Sequence, residues 1–260
     1  MGADSMISTL AISVPGLIAS CADEVLPLAS VGKLLLLAEV ARQAAGGALD
    51  PDEPVEVRPE DRCAGSGLLV DLAPQRWTVA DLALLAASVS DNTATNALLR
   101  RIGLDRVNQG ANELGLRETR LLDRIREPRL PQHAPTFAVG TARELAALAE
   151  LIAGPEPWAR TVLGWLAAST DRAMVAAGIP HDPERRDVPE PAAPGRPARA
   201  AGLWVANKTG TDAGIRADVG VVRGVRQVCY AVLGSGPPGG EFDLLRAMRA
   251  VGVLVSRFAS

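Results

Sequence analysis

Two short apolar runs, residues 7–13 and 17–21, flank Val14-Pro15-Gly16. Proline presets one backbone angle and glycine tolerates the reversal, so this pattern predicts a β-hairpin. Ser30-Val31-Gly32-Lys33 follows, and then residues 34–45, apolar nearly all round and stopped by Gly46-Gly47. A helix of that kind is expected at the buried centre of a lobe. Residues 48–77 mix proline, glycine and charge and read as irregular connection. Thr78-Val79-Ala80-Asp81 has the spacing of a capping box and opens a helix continuing through 82–89. Helical spacing returns over 94–101, 104–114, 141–153 and 157–168, so the middle of the chain reads as almost all helical. Short β-branched or glycine-flanked runs at 202–207, 219–223 and 227–233 read as strands. In residues 242–258, Leu245, Met248, Val251, Val255 and Phe258 form one stripe, as in an amphipathic helix laid on a sheet.

Strands at both ends with helices between predict an α/β (α+β) chain. Its antiparallel sheet of about five strands draws on both termini and is flanked by helices, with an all-helical lobe inserted. Residues 1–34 plus 201–260 are expected to form the α/β lobe and 35–180 the helical lobe. Residues 181–200 hold five prolines and eight Asp, Glu or Arg residues, and read as a solvated insertion loop. A cleft between two such lobes is a usual place for a ligand.

Composition narrows the partner. A net charge of −3 and 3% aromatic residues argue against nucleic acid or an anionic membrane. No run reaches the roughly 20 apolar residues of a membrane span. The three cysteines, Cys21, Cys63 and Cys229, are scattered and read as small buried hydrophobes. With only His133 and His181 beside them, no metal site and no cofactor are expected. Both histidines lie in proline-bearing polar loops and are expected to be exposed. Trp77, Trp158, Trp165 and Trp204 are expected to pack. Residues 17–21 resemble a lipoprotein cleavage box, but no Lys or Arg precedes Cys21, so the hairpin is preferred to an export signal. The chain reads as a soluble monomer, cytoplasmic as written and exported if a leader has been trimmed.

The chemistry begins at Ser30 and Lys33, three apart where a helix starts and therefore on one face. The free N–H groups and positive dipole end of that helix point at the serine. Burial beside a second cation would favour a neutral lysine able to take the serine proton. Ser-x-x-Lys alone is common. Here it is followed by Ser90-Asp91-Asn92 at a break between helices and by Lys208-Thr209-Gly210 closing a strand.

The order of these three motifs resembles the class A β-lactamases and penicillin-binding proteins. Residues 22–30 are similar to that family's approach to its nucleophile, and residues 82–96, ending Ser-Asp-Asn-Thr-Ala-Thr-Asn, to its second motif. The resemblance implies a β-lactam or peptidoglycan-like substrate and an acyl-serine intermediate. It implies Ser30 as nucleophile, Lys33 as base, Ser90 as proton relay to the leaving nitrogen and Asn92 as holder of the substrate amide. Lys208, Thr209 and Gly210 would form the wall that receives the substrate carboxylate, with Thr211 and Ser30 supplying an oxyanion hole. Arg216 is the nearest candidate for the family's carboxylate-binding arginine, about one residue out of register. The family's deacylation loop reads Glu-Pro-x-Leu-Asn; this chain has Glu127-Pro128-Arg129-Leu130-Pro131, so Glu127 fits and Pro131 replaces the asparagine. A DD-peptidase or esterase on the same scaffold, and a non-turnover penicillin-binding sensor, remain the alternatives.

Overall fold

In the computed structural model, described over residues 8–190 and 202–260, the N-terminal hairpin is β1 (Thr9–Val14) and β2 (Ile18–Ser20). β3 (Leu26–Pro27) and a 3-10 turn, Ala29–Gly32, lead into α1 (Lys33–Ala45). Next come β4 (Pro54–Glu56), β5 (Arg76–Thr78), α2 (Val79–Ser88), α3 (Asn92–Ile102), α4 (Leu104–Glu113), β6 (Arg120–Leu121) and β7 (Ala138–Gly140). The chain continues with α5 (Ala142–Ile152), α6 (Pro157–Ala167) and a second 3-10 turn, Val175–Gly178. It ends with β8 (Trp204–Asp212), β9 (Ile215–Arg223), β10 (Gln227–Ser235) and α7 (Glu241–Ala259). The expected helical middle therefore also holds short strands, β4 to β7, pairing in two small sheets.

The main sheet is antiparallel with order β2-β1-β10-β9-β8, so both chain ends contribute as expected. Its central strands β9 and β10 are buried on both faces for most of their length, which is why they read as largely apolar runs. Val205, Val222, Val228, Tyr230 and Val232 pack beneath α7 and the Val175–Gly178 turn. Trp204, Ala206, Val219, Val221, Ala231 and Leu233 join the other, larger core. α5 lies across β10, β1 and β9 on that side, and α1 is surrounded by α2, α3, α4 and α6. Every residue of α1 from Lys33 to Ala41 is buried, as its pattern predicts.

Three expectations are corrected. Cys21 is exposed, because it ends the outermost strand pair; Cys63 and Cys229 are buried. His133 and His181 are half-buried: His133 Nδ1 accepts the Leu130 N–H at 3.1 Å, and His181 Nδ1 lies 2.7 Å from the Ile179 carbonyl. β8 runs to Asp212, so Lys208-Thr209-Gly210 lies within the strand and does not close it. The reversal falls at Asp212–Ile215, where Gly214 takes φ +70°. Of the 181–200 segment, Pro189 is tied to the sheet by an Arg223 Nη1 hydrogen bond of 2.5 Å; residues 191–201 lie outside the described part. Trp204 is buried, and Trp77, Trp158 and Trp165 pack against the core.

Candidate active site

Alternation along β8 sends Lys208 and Gly210 to the face that meets the 3-10 turn carrying Ser30, and Asn207 and Thr209 to the other. The approach is close. A Cβ on Gly210 would collide with the Leu28 carbonyl oxygen and stand 3.1 Å from the Ser30 nitrogen, so this position needs glycine. Among the described residues β8 is also the edge strand of the sheet, so part of its main-chain polar groups face the cleft instead of a partner strand. Ser30, Ser90, Lys208, Thr209, Thr211 and Asp171 line one cavity of about 200 Å³.

At its floor, two buried lysines meet one hydroxyl. Lys33 Nζ donates to Ser90 Oγ at 3.0 Å, to Asn92 Oδ1 at 2.9 Å and to the Ser90 carbonyl. Lys208 Nζ reaches the same Ser90 Oγ at 3.0 Å and the Thr209 carbonyl at 2.9 Å. Ser90 sits in the left-handed region at φ +56°, an unfavourable conformation for a residue with a Cβ. Such strain costs about 1–3 kcal/mol and persists where the surroundings over-determine it. Here it turns the carbonyl and the hydroxyl of Ser90 toward Lys33.

Burial first, and the Lys208 cation second, hold the Lys33 ammonium well below the ordinary lysine range. Lys208 is pushed down to about 8, chiefly by burial, with Asp171 and Asp218 opposing the shift. Burial and the neighbouring cation both disfavour the charged form of Lys33 and favour a lysine able to accept a proton.

The walls are hung from the start of α3. Asp91 caps that helix through the Ala94 N–H at 2.8 Å and accepts the Leu68 and Leu69 N–H groups at 2.6 and 2.8 Å. Asn92 Nδ2 donates to the Ala64 carbonyl at 2.7 Å. Asn96 exchanges hydrogen bonds with Ile125, its Nδ2 to the carbonyl and its Oδ1 from the N–H, both 2.9 Å, and so pins the Glu127 loop. Glu127 is exposed. A Cβ on Gly65 would lie 3.9 Å from Glu127 Cγ and 3.5 Å from Asn92 Nδ2, so both side chains border the space beside Gly65.

Of the expected site residues, Ser30, Ser90, Lys208, Thr209 and Thr211 line the cavity. Lys33 and Asn92 stand behind Ser90, and Gly210 backs the nucleophile turn. Two stand apart: Glu127 is exposed and outside the cavity lining, and Arg216 Nη1 donates to the Asp212 and Ile215 carbonyls at 2.8 and 2.7 Å, folded onto its own hairpin turn. Asn96 was legible as the residue one helical turn beyond Asn92. Asp171 carried no signal; Ser169-Thr170-Asp171 reads as an ordinary turn.

Residues 12–256 match the model of the family described as the beta-lactamase enzyme family. The chain belongs to that family. Beta-lactamase PSE-4 of Pseudomonas aeruginosa is 33% identical over 105 residues, which is 40% of this chain and 36% of that protein's length. Among solved structures, the beta-lactamase of Sphaerobacter thermophilus is 25% identical with a TM-score of 0.75, covering 97% of this chain and 89% of its own. PBP-A is 21% identical with a TM-score of 0.78 and 98% and 91% coverage, which speaks to the fold.

Behind β8 lies a second polar cluster. Asp218 is fully buried and accepts from the Val175 N–H at 2.9 Å, Asn207 Nδ2 at 3.1 Å and the Tyr230 hydroxyl at 3.2 Å. Desolvation first, with the Asp171 charge adding to it, raises it to about 7 against the Asn207 and Tyr230 donors. The folded state thus holds a proton that the unfolded chain releases near pH 4, and the associated stability is lost as pH rises from about 4 to 7. Asp218→Asn is expected to flatten that slope in urea unfolding series between pH 4.5 and 8; an unchanged slope would refute the assignment.

Proposed function

We propose that the chain is a serine hydrolase of class A β-lactamase type that opens a β-lactam amide through an acyl-Ser30 intermediate. The observation that carries this is the Ser90 hydroxyl held at 3.0 Å by two buried lysines in the cavity that Ser30 lines. Neutral Lys33 takes the Ser30 proton as Ser30 Oγ bonds to the carbonyl carbon. As the carbon–nitrogen bond breaks, Ser90 gives its proton to the departing nitrogen and is reprotonated by Lys33 along the 3.0 Å contact. The Ser30 and Thr211 N–H groups receive the developing oxyanion, each such donor being worth about 2.7–4 kcal/mol of barrier. Lys208, Thr209 and Thr211 receive the substrate carboxylate.

Glu127 then serves as base for the hydrolytic water at the Gly65 wall, with Asn92 Nδ2 as the nearby donor. Pro131 has no side-chain donor or acceptor, so the water keeps fewer ligands than in the family pattern. That favours slow deacylation, as in a peptidase or a penicillin-binding sensor, as the second reading.

Intact-protein mass spectrometry after mixing with benzylpenicillin, sampled from seconds to hours, separates these. A transient adduct that Ser30→Ala abolishes is expected, persisting at least tenfold longer in Glu127→Gln. A wild-type adduct that outlasts hours would select the sensor, and no adduct in any variant would sink the proposal.

The Lys208 cation is lost as pH rises through about 8. KM for carboxylate-bearing substrates is therefore expected to climb above pH 8, by up to about tenfold per pH unit. A KM flat from pH 7 to 9.5 would contradict the role given to Lys208.

A further inference from the structure

One charge on the cavity wall has no part in the acyl-transfer steps. Asp171, half-buried between α6 and the Val175–Gly178 turn, lines the cavity beside Lys208 and Thr209. Its Oδ2 accepts the Thr209 hydroxyl at 2.7 Å, and its Oδ1 accepts the Ala173 N–H at 3.1 Å. A threonine hydroxyl has a single proton to donate, and here that proton is committed. The Asp171 charge also acts on Lys208, favouring its ammonium form. The hydroxyl that the acyl-serine reading reserves for a substrate carboxylate is therefore already held by a carboxylate of the chain itself, whose charge also reaches the cation beside it.

We infer that Asp171 is an internal occupant of the carboxylate subsite, and that it shifts specificity toward acyl substrates whose carboxylate is masked as an ester or amide. The inference rests on the acyl-serine reading above. An incoming carboxylate must break the 2.7 Å Thr209–Asp171 bond to gain the hydroxyl, and it meets a like charge while doing so. A neutral ester meets no such charge, and its carbonyl still accepts from Lys208 and from the cleft-facing edge of β8. Discrimination of this kind acts through the repulsive element as much as the attractive one. Asp171 is thus a specificity-determining residue that acts on the subsite and takes no part in bond making.

The test compares a chromogenic cephalosporin as free acid and as methyl ester in wild type, Asp171→Asn and Asp171→Ser. The acid-to-ester ratio of kcat/KM is expected to rise at least tenfold in both variants, carried by a lower KM for the acid. Calorimetric titration with N-acetyl-D-alanine and with its amide reads the subsite without turnover, and the acid is expected to gain at least tenfold in affinity in both variants. An unmoved ratio, a higher KM for the acid, or failure of the acid to bind either variant overturns the inference. Failure of the acyl-serine reading looks different: neither acid nor ester then leaves an adduct on Ser30 in the wild type.

Discussion

Lys33 and Lys208 are both fully buried, and their ammonium nitrogens converge on one serine hydroxyl. Removing an ion from water costs several kcal/mol even after relaxation, and two like ions side by side add their repulsion. Each lysine therefore needs fixed acceptors. Lys33 has the Ser90 carbonyl and Asn92 Oδ1, Lys208 has the Thr209 carbonyl, and Asp171 and Asp218 supply opposing charge. The remaining imbalance is relieved by lowering the Lys33 pKa, and this creates a base. The constraint that makes the pocket costly is the same one that makes it reactive.

Those acceptors come from three parts of the chain, so the fold's task is to bring them together rigidly. α1 is buried all along the length where it carries Lys33, β8 is held by a nine-residue ladder to β9, and Ser90 closes the gap between α2 and α3. The first turns of α3 do more than cap a helix. Asp91, Asn92, Thr93 and Asn96 hold the 63–69 loop and the loop that presents Glu127, so both walls of the cleft hang from one helix end. Loops positioned by rigid elements in this way carry function without carrying the core.

The polar layer behind β8 links the cleft to the outer face of the sheet. Asn207 and Thr209 flank Lys208 in sequence but point away from it, toward Asp218 and Asp171. Asn207 Nδ2 bridges Asp218 and the Asp171 carbonyl at 3.1 and 3.2 Å. One strand thus presents a cation to the cleft while its neighbouring side chains engage the buried Asp218 and the half-buried, cavity-lining Asp171.

Much of the fold was legible because burial leaves a period in the sequence. The largely apolar α1, the stripe on α7 and the apolar runs of β9 and β10 each report the face they bury, and Ser30, Lys33, Ser90 and Lys208 stand in three motifs whose order along the chain is read directly. Periodicity says nothing about which distant residues meet. Ser90 lies 57 residues from Lys33 and 118 from Lys208, and their contact depends on strand pairing and on closing the helical segment over the sheet. Tertiary structure alone turned Arg216 back onto its hairpin, extended β8 past Gly210, placed α5 across the sheet and brought Asp171 onto Thr209. The sequence determined which elements form and which residue types bear the chemistry, since those follow from local propensity and burial. The fold decided which of those residues share a pocket, because that depends on contacts between positions too far apart for any local pattern to record.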